Sequence, residues 1–81
     1  MSGTQVKNNI RRLRLLNDEM TQAELAQEIG VTRQTLNAIE AAKYSPSLEL
    51  AFKIAQVFNQ PLDEVFSYPA EGNATKPAQE S

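Results

Sequence analysis

Residues 21–39 read TQAELAQEIGVTRQTLNAI, and this stretch predicts two short helices joined by a tight turn. Thr21 and Glu24 have the spacing of a capping box, in which each side chain accepts the backbone N–H of the other residue, so a helix is expected to begin at Gln22. Gly30 can adopt the left-handed backbone that ends a helix. Thr32 can then cap the next helix. The turn between the two predicted helices is therefore only about three residues long.

The second of these helices, predicted over about residues 33–42, has two chemically different faces. Leu36 and Ile39 share one face and are expected to pack on the core. The opposite face carries polar or small side chains, with Arg33 beside them, and consists of Gln34, Asn37, Ala38 and Ala41. Two helices joined by so short a glycine-containing turn are typical of a helix-turn-helix.

Apolar residues at helical spacing continue on both sides of this pair. A first helix is predicted over about residues 7–17, with an apolar stripe formed by Val6, Ile10, Leu13 and Leu16. A fourth helix is expected after residues 45–47 (Ser-Pro-Ser), with apolar side chains around most of its circumference, which predicts a central position. Pro61 is expected at the first helical position of a short fifth helix. The sequence therefore predicts an all-α domain of five helices.

The two ends of the chain differ in composition from this helical region. Residues 67–81 read SYPAEGNATKPAQES and contain almost no large apolar residue after Tyr68, so residues 69–81 are expected to form a disordered tail. Residues 1–5 are expected to be a flexible N-terminus, which leaves residues 6–68 as the folded domain. Residues 5–7 and 66–68 are tolerant of β structure and can pair as a short two-stranded ribbon.

Composition excludes several classes of function. The chain has 81 residues, enough for one domain, and it contains neither cysteine nor histidine. Disulfides, thiolate nucleophiles, zinc fingers and imidazole acid-base chemistry are thereby excluded, so no enzyme, cofactor, metal or small-molecule ligand is predicted. No apolar run approaches the ~20 residues that cross a bilayer, and the N-terminus lacks signal-peptide features, so we expect a cytoplasmic protein without a membrane partner.

The net charge of −2 hides an asymmetry between the two halves of the chain. Residues 1–44 carry six basic and five acidic side chains, whereas residues 45–81 carry two basic and five acidic ones. An anionic partner is therefore expected to bind the first half.

The complete pattern resembles the phage-repressor helix-turn-helix family that includes Cro and lambda repressor, often called Xre. The resemblance rests on residues 21–39 and on the EAAKYSPSLELAFKIAQVFNQPLDEVF of residues 40–66, and it covers about residues 6–68. It is closest to the small stand-alone bacterial members. The resemblance implies a lambda-repressor-like domain that binds double-stranded DNA, with helix 2 (about residues 22–29) across the backbone and helix 3 in the major groove.

Three polar side chains on helix 3 are candidates for reading bases. Arg33 can make two hydrogen bonds to guanine O6 and N7, and Gln34 can pair with adenine N6 and N7. Asn37 is the next residue along the groove. Lambda repressor has a glutamine where this chain has Arg33, so the contact between two glutamines known in that family is not expected here.

A second group of side chains is expected to contact the DNA backbone. Gln22, at the first position of helix 2, is expected to donate its amide to a phosphate near the positive end of the helix dipole; an exposed surface glutamine is the alternative. Tyr44 is another candidate for a phosphate contact, although its ring can instead pack on the core. The predicted set is Gln22, Thr32, Thr35, Lys43 and Tyr44. The resemblance also implies a structural ion pair between Arg14 and Glu40.

The resemblance implies a sequence-specific transcriptional regulator, expected to be a repressor that binds a palindromic operator as a homodimer. The alternative is an antitoxin or adaptor-type protein-interaction module of the same fold with weak DNA binding, which the negative net charge favours. Dimerisation is expected through helix 5 and the end of helix 4, because a short terminal helix cannot hide the apolar side chains of Val57, Leu62 and Phe66.

Overall fold

Five helices and two short strands make up residues 3–69, the part of the chain that the computed structural model describes. In chain order they are β1 (Lys7–Asn8), α1 (Ile10–Leu16), α2 (Gln22–Ile29), α3 (Arg33–Glu40), α4 (Leu48–Phe58), α5 (Leu62–Val65) and β2 (Phe66–Ser67). The strands pair antiparallel, with Lys7 opposite Ser67 and Asn8 opposite Phe66. The predicted five-helix domain with a ribbon formed by its two flanks is confirmed.

Predicted side-chain caps set the boundaries of α2 and the start of α3. Thr21 Oγ1 accepts the Glu24 N–H at 3.0 Å, and Glu24 Oε1 accepts the Thr21 N–H at 2.9 Å. Gly30 ends α2 with a left-handed φ of +80°. Thr32 Oγ1 accepts the Thr35 N–H at 3.1 Å, where α3 begins. Local side-chain chemistry therefore makes α3 follow α2 after a very short turn.

The C-terminal end of α3 lies at Glu40, two residues before its predicted end. Ala42 adopts a left-handed φ of +61°, and the Lys43 N–H donates back to the Ala38 C=O at 2.9 Å. This is the Schellman arrangement that commonly stops a helix, here with alanine where glycine is usual. Alanine rarely adopts this left-handed conformation, so nothing in the sequence indicated that the helix ends here. The predicted helix was therefore too long.

α1 begins three residues later than predicted, because Lys7 and Asn8 belong to β1. Ile10 is fully buried, but Leu16 is 72% exposed, so its predicted place in the apolar stripe was wrong. Arg14 is buried instead. Arg14 shares the inward face of α1 with Ile10, one turn earlier, whereas Leu16 lies off that face.

The hydrophobic core lies where the five helices meet. Its fully buried side chains are those of Ile10, Leu25, Leu36, Ile39, Ile54 and Val65. α4 is less central than predicted, because Leu48 is 67% exposed and about half of Phe52 is exposed. Only one face of α4, around Ile54, is buried, so an apolar composition on all sides overstated its burial.

The ends of the described region bear on two predictions. Residues 1–2 and 70–81, which include most of the predicted tail, lie outside the described residues. In the N-terminal segment that was expected to be flexible, Thr4 donates its backbone N–H to the Ala42 C=O at 3.0 Å. None of the helices within residues 3–69 has the length and apolarity that a membrane span needs.

Candidate nucleic-acid interface

An exposed polar surface is formed by α3 and the first residue of α2. Arg33, Gln34 and Asn37 are exposed, whereas Leu36 and Ile39 on the other side of α3 are buried. The helical period separates these two sets, because at about 100° per residue the three exposed side chains fall on one half of the helix and Leu36 and Ile39 on the other. The three predicted base-reading side chains are thus accessible to a ligand.

Gln22 joins two of these side chains. Arg33 Nε donates to Gln22 Oε1 at 3.5 Å, and Gln22 Nε2 donates to Asn37 Oδ1 at 3.4 Å. Both distances are long, so each hydrogen bond is weak. Arg33 therefore contacts Gln22 even though position 33 is an arginine and not a glutamine. The sequence analysis did not predict this contact.

A buried ion pair anchors this arrangement. Arg14 Nε donates to Glu40 Oε2 at 2.7 Å and Arg14 Nη2 donates to Glu40 Oε1 at 2.9 Å, a two-point geometry that is stronger than a single contact. The two side chains are only 10% and 8% exposed. Arg14 Nη1 also donates to the Met20 C=O at 2.9 Å, and Glu40 Oε1 accepts Gln22 Nε2 at 3.1 Å. Helix α1, the start of α2 and the end of α3 are therefore held together by one polar network.

The other predicted backbone-contact residues lie at the two ends of α3. Thr32 and Thr35 are at its N-terminal end, where their hydroxyl groups lie 3.0 Å apart. Lys43 and Tyr44 are exposed just beyond the C-terminal end of α3, whose eight residues span about 12 Å. Tyr44 is 51% exposed, so its ring is not enclosed by the core. These four side chains are spread along α3 rather than gathered at one point.

Positive charge remains available on this half of the molecule. Within residues 3–69, Arg14 and Glu40 form the one ion pair shorter than 4.0 Å. The other basic residues of the first half are exposed, and they are Lys7, Arg11, Arg12, Arg33 and Lys43. Arg33 and Lys43 flank α3, so an anion that approaches this helix meets a cation at each end.

Comparison with known proteins identifies the family. The profile of a helix-turn-helix family matches residues 10–65, more than half of the chain. The chain belongs to this helix-turn-helix family. An uncharacterized HTH-type transcriptional regulator of Methanocaldococcus jannaschii is 48% identical over 63 residues, which cover 78% of this chain and 94% of the relative. The uncharacterized HTH-type transcriptional regulator YgzD of Bacillus subtilis is 43% identical over 61 residues, covering 75% and 91%.

Solved structures share the fold of this helix-turn-helix protein. A protein of Bacteroides fragilis superposes with a TM-score of 0.66 at 24% identity, covering 76% of this chain and 98% of its own. The transcriptional regulator VanUg superposes with a TM-score of 0.61 at 21% identity, covering 83% and 88%. The predicted resemblance is confirmed, with archaeal as well as bacterial relatives. Helix-turn-helix proteins of this family are transcriptional regulators and not enzymes.

A separate apolar surface of this helix-turn-helix protein lies on α5 and the ribbon. Leu62 and Phe66 line an open cavity of about 440 Å³ together with Val6 and Tyr68. Val57 lines a different depression, beside Leu13 and Phe58. Of the three side chains predicted at a dimer interface, the structure therefore brings two together and leaves the third apart.

Two polar residues with long-range contacts were missed by the sequence analysis. Asn8 donates its side-chain amide to the last turn of α3, and Asn9 donates its side-chain amide to the Glu64 C=O in α5. Asparagines before a predicted helix are a capping signal, which could have drawn attention to this pair. The distant carbonyl groups that they contact have no local signature.

Proposed function

We propose that this protein is a sequence-specific DNA-binding transcriptional regulator that binds a palindromic operator as a homodimer and represses by occupying it. The observation that supports DNA reading most directly is the exposure of Arg33, Gln34 and Asn37 on the side of α3 that does not pack on the core. In a helix-turn-helix the second helix lies in the major groove, and here that helix is α3. Its exposed face carries groove-sized polar side chains and no acidic residue except Glu40, which is held by Arg14.

The geometry of Arg33 suits a guanine. Because Arg33 Nε faces Gln22, the terminal nitrogens of the guanidinium group remain available for the O6 and N7 atoms of one base. Gln34 offers an amide that can pair with adenine, and Asn37 follows one turn after Arg33. In this proposal Gln22 orients Arg33 through Oε1, and its Nε2 exchanges the weak 3.4 Å contact with Asn37 for a phosphate, since Gln22 stands at the first position of α2, where the helix dipole favours an anion.

Backbone contacts are proposed for the ends of α3. Thr32 and Thr35 can offer hydroxyl groups at its N-terminal end, and Lys43 and Tyr44 can contact phosphates beyond its C-terminal end. Such contacts set the register of α3 in the groove and do not distinguish one base from another.

Replacing Arg33 and Lys43 separately with alanine should distinguish the two kinds of contact. We expect Arg33→Ala to lose about 1–3 kcal/mol of affinity for the preferred site and to relax discrimination at one base pair. Lys43→Ala should weaken binding to every sequence alike and reduce the salt slope by about one. The measurement is a titration of each variant against the preferred site and its single-base mutants at several salt concentrations. An equal, sequence-independent loss in both variants would contradict the assignment of Arg33 to a base.

The apolar surface of Leu62 and Phe66 is the proposed dimer contact. We expect Leu62→Glu to give monomers that keep their helices and bind a palindromic site at least tenfold more weakly, because one α3 then binds alone. Leu62 is half-buried against the core, so Leu48→Glu, at an exposed position on α4 outside this surface, controls for the added charge, and the folding measurement controls for the lost packing. Sedimentation and circular dichroism report assembly and folding. A monomeric unmodified protein, or unchanged operator affinity of Leu62→Glu, would refute the dimer.

The alternative is an adaptor or antitoxin with weak DNA binding. The net charge of −2 and the exposed side chains of Leu15 and Leu16 on α1 favour it. Gel shifts with genomic fragments at low and moderate salt distinguish the two functions, because specific binding persists when the counterion-driven background is removed. Binding that disappears uniformly as salt rises would favour the alternative.

A further inference from the structure

Two adjacent asparagines at the start of α1 contact different helices. Asn8 Nδ2 donates to the Ile39 C=O at 2.9 Å and lies 3.4 Å from the Glu40 C=O, at the end of α3. Asn9 Nδ2 donates to the Glu64 C=O at 3.0 Å, and the Asn9 backbone N–H donates to the Val65 C=O at 2.9 Å, at the end of α5. One dipeptide therefore binds the C-terminal ends of both helices.

These acceptors are groups that a helix cannot satisfy by itself. The last four carbonyl groups of a helix have no partner within it, so they bond to water, to caps or to other segments. The Ile39 C=O also accepts the Ala42 N–H at 3.0 Å, and the side-chain donors to α3 and α5 lie 31 and 55 residues away in the sequence. Asn8 is held in place because its Oδ1 accepts the Ile10 N–H at 3.1 Å. The amide of Asn8 can therefore bond to α3 while its oxygen caps α1.

The two helices that this pair connects share the hydrophobic core, through Leu36 and Ile39 of α3 and Val65 of α5, but their main neighbours differ. α3 packs chiefly on α2, whereas α5 packs chiefly on α4 and β2. α3 carries the proposed base-reading side chains, and α5 carries Leu62 of the proposed dimer contact. The asparagine pair therefore adds side-chain hydrogen bonds between the segment around α1 and the ends of both the reading helix and the helix of the dimer surface.

We propose that Asn8 and Asn9 are positioning residues that fix the angle of α3 relative to α5, and that they thereby set the spacing between half-sites that the dimer accepts. This inference rests on the proposed homodimer and its palindromic operator. Two reading helices must enter the groove about 34 Å apart, so each lies about 17 Å from the two-fold axis. A rotation of about 5° about the Asn8 contact at the C-terminal end of α3 would move the N-terminal end of this eight-residue helix by about 1 Å, roughly a third of the 3.4 Å rise of one base pair on a strand.

Asn8→Ser is the most informative variant. A serine hydroxyl can still accept the Ile10 N–H and cap α1, but it is too short to reach the carbonyl groups of α3. Asn17→Ser is the matched control, because Asn17 is exposed at the other end of α1. Asn9→Ser removes the side-chain bond to α5 and is expected to behave like Asn8→Ser.

The first measurement needs no DNA. Residual dipolar couplings should report a changed orientation of α3 relative to the α4–α5 pair in Asn8→Ser and an unchanged orientation in Asn17→Ser. An orientation that is the same in both variants would overturn the inference, whatever their binding to DNA.

The second measurement uses a library of palindromes with varied spacers, together with an isolated half-site. The unmodified protein and Asn17→Ser should select one spacing, whereas Asn8→Ser should accept several and lose at least fivefold in affinity for the original palindrome relative to the half-site. Loss of folded protein would lower both affinities equally and leave their ratio unchanged, so an unchanged ratio and spacing overturn the positioning role. If the unmodified protein selects no sequence, or is monomeric, the proposed function itself is overturned, and with it the role of Asn8 and Asn9 in spacing.

Discussion

Leu36→Ala is expected to lower the free energy of unfolding by about 2–5 kcal/mol. Leu36 is fully buried and lies on the face of α3 opposite to the reading side chains, among Leu25, Ile39 and Ile54. Removing its branched end leaves a cavity that neighbouring side chains fill only in part, because protein interiors are closely packed. A small domain has about 5 kcal/mol of stability in total, so a loss at the upper end of this range should leave much of the variant unfolded. Thermal and urea denaturation followed by circular dichroism measure this change.

Leu48→Ala provides the matched control, because the same atoms are removed from a side chain that is 67% exposed. We expect its unfolding free energy to change by no more than about 0.5 kcal/mol. If Leu36→Ala and Leu48→Ala were equally stable, α3 would not pack as described, and its exposed face would have to be reassigned.

Glu40→Ala is expected to cost about 3–5 kcal/mol of stability, because it leaves the guanidinium group of Arg14 buried without its carboxylate. The side chains of both residues are almost fully enclosed, so solvent compensates little for the lost partner. Gln22 would also lose the acceptor at 3.1 Å that holds it next to Arg33. Chemical denaturation measures the stability, and titration of the folded protein against single-base mutants measures the discrimination that Arg33 provides.

The double variant Arg14→Met, Glu40→Leu is the control for this prediction. Replacing both partners of a buried ion pair with apolar side chains is often neutral or stabilising, so most of the lost stability should return. The contact between Gln22 and Glu40 remains broken in this variant, so discrimination at the base read by Arg33 should stay relaxed. A loss of less than about 1 kcal/mol in Glu40→Ala would show that the pair is more exposed to water than the structure indicates.

Local chemistry explains which parts of the fold were predictable from the sequence. Thr21 and Glu24 bond to each other across three residues, and Thr32 caps α3 over the same distance, so a sequence window contains both partners. Gly30 similarly has an intrinsic preference for the backbone that ends α2. The boundaries of α2 and the start of α3 follow from these residues alone.

Other features depend on partners that are distant in the sequence. Residues 7 and 8 were predicted to begin the first helix, but they pair with β2, which is close to the other end of the domain in sequence. Ala42 takes a left-handed conformation that its residue type does not favour, and its C=O accepts from Thr4. Leu16 and Leu48 are apolar yet exposed, since apolarity alone does not specify which face of a helix packs. Tertiary contacts decide all of these positions.

The candidate site also has features that the sequence predicts and features that depend on contacts between distant residues. The exposed face of α3, with Arg33 and Asn37, follows from the helical period. The contact of Gln22 with these residues and with Glu40 joins two helices, and the family resemblance directed attention to Gln22 for a different reason, a phosphate. Val57 was grouped with Leu62 because both are apolar, but they line separate depressions.

Selection of bound sites from a random DNA pool, at a salt concentration that removes non-specific binding, tests the central claim most directly. If α3 reads bases in a dimer, repeated rounds should enrich one two-fold symmetric sequence whose half-sites are centred about 10 base pairs, or 34 Å, apart. A guanine in each half-site should lose its preference in the Arg33→Ala variant. A pool that stays random after selection, or an enriched sequence without symmetry that Arg33→Ala also selects, would contradict the account.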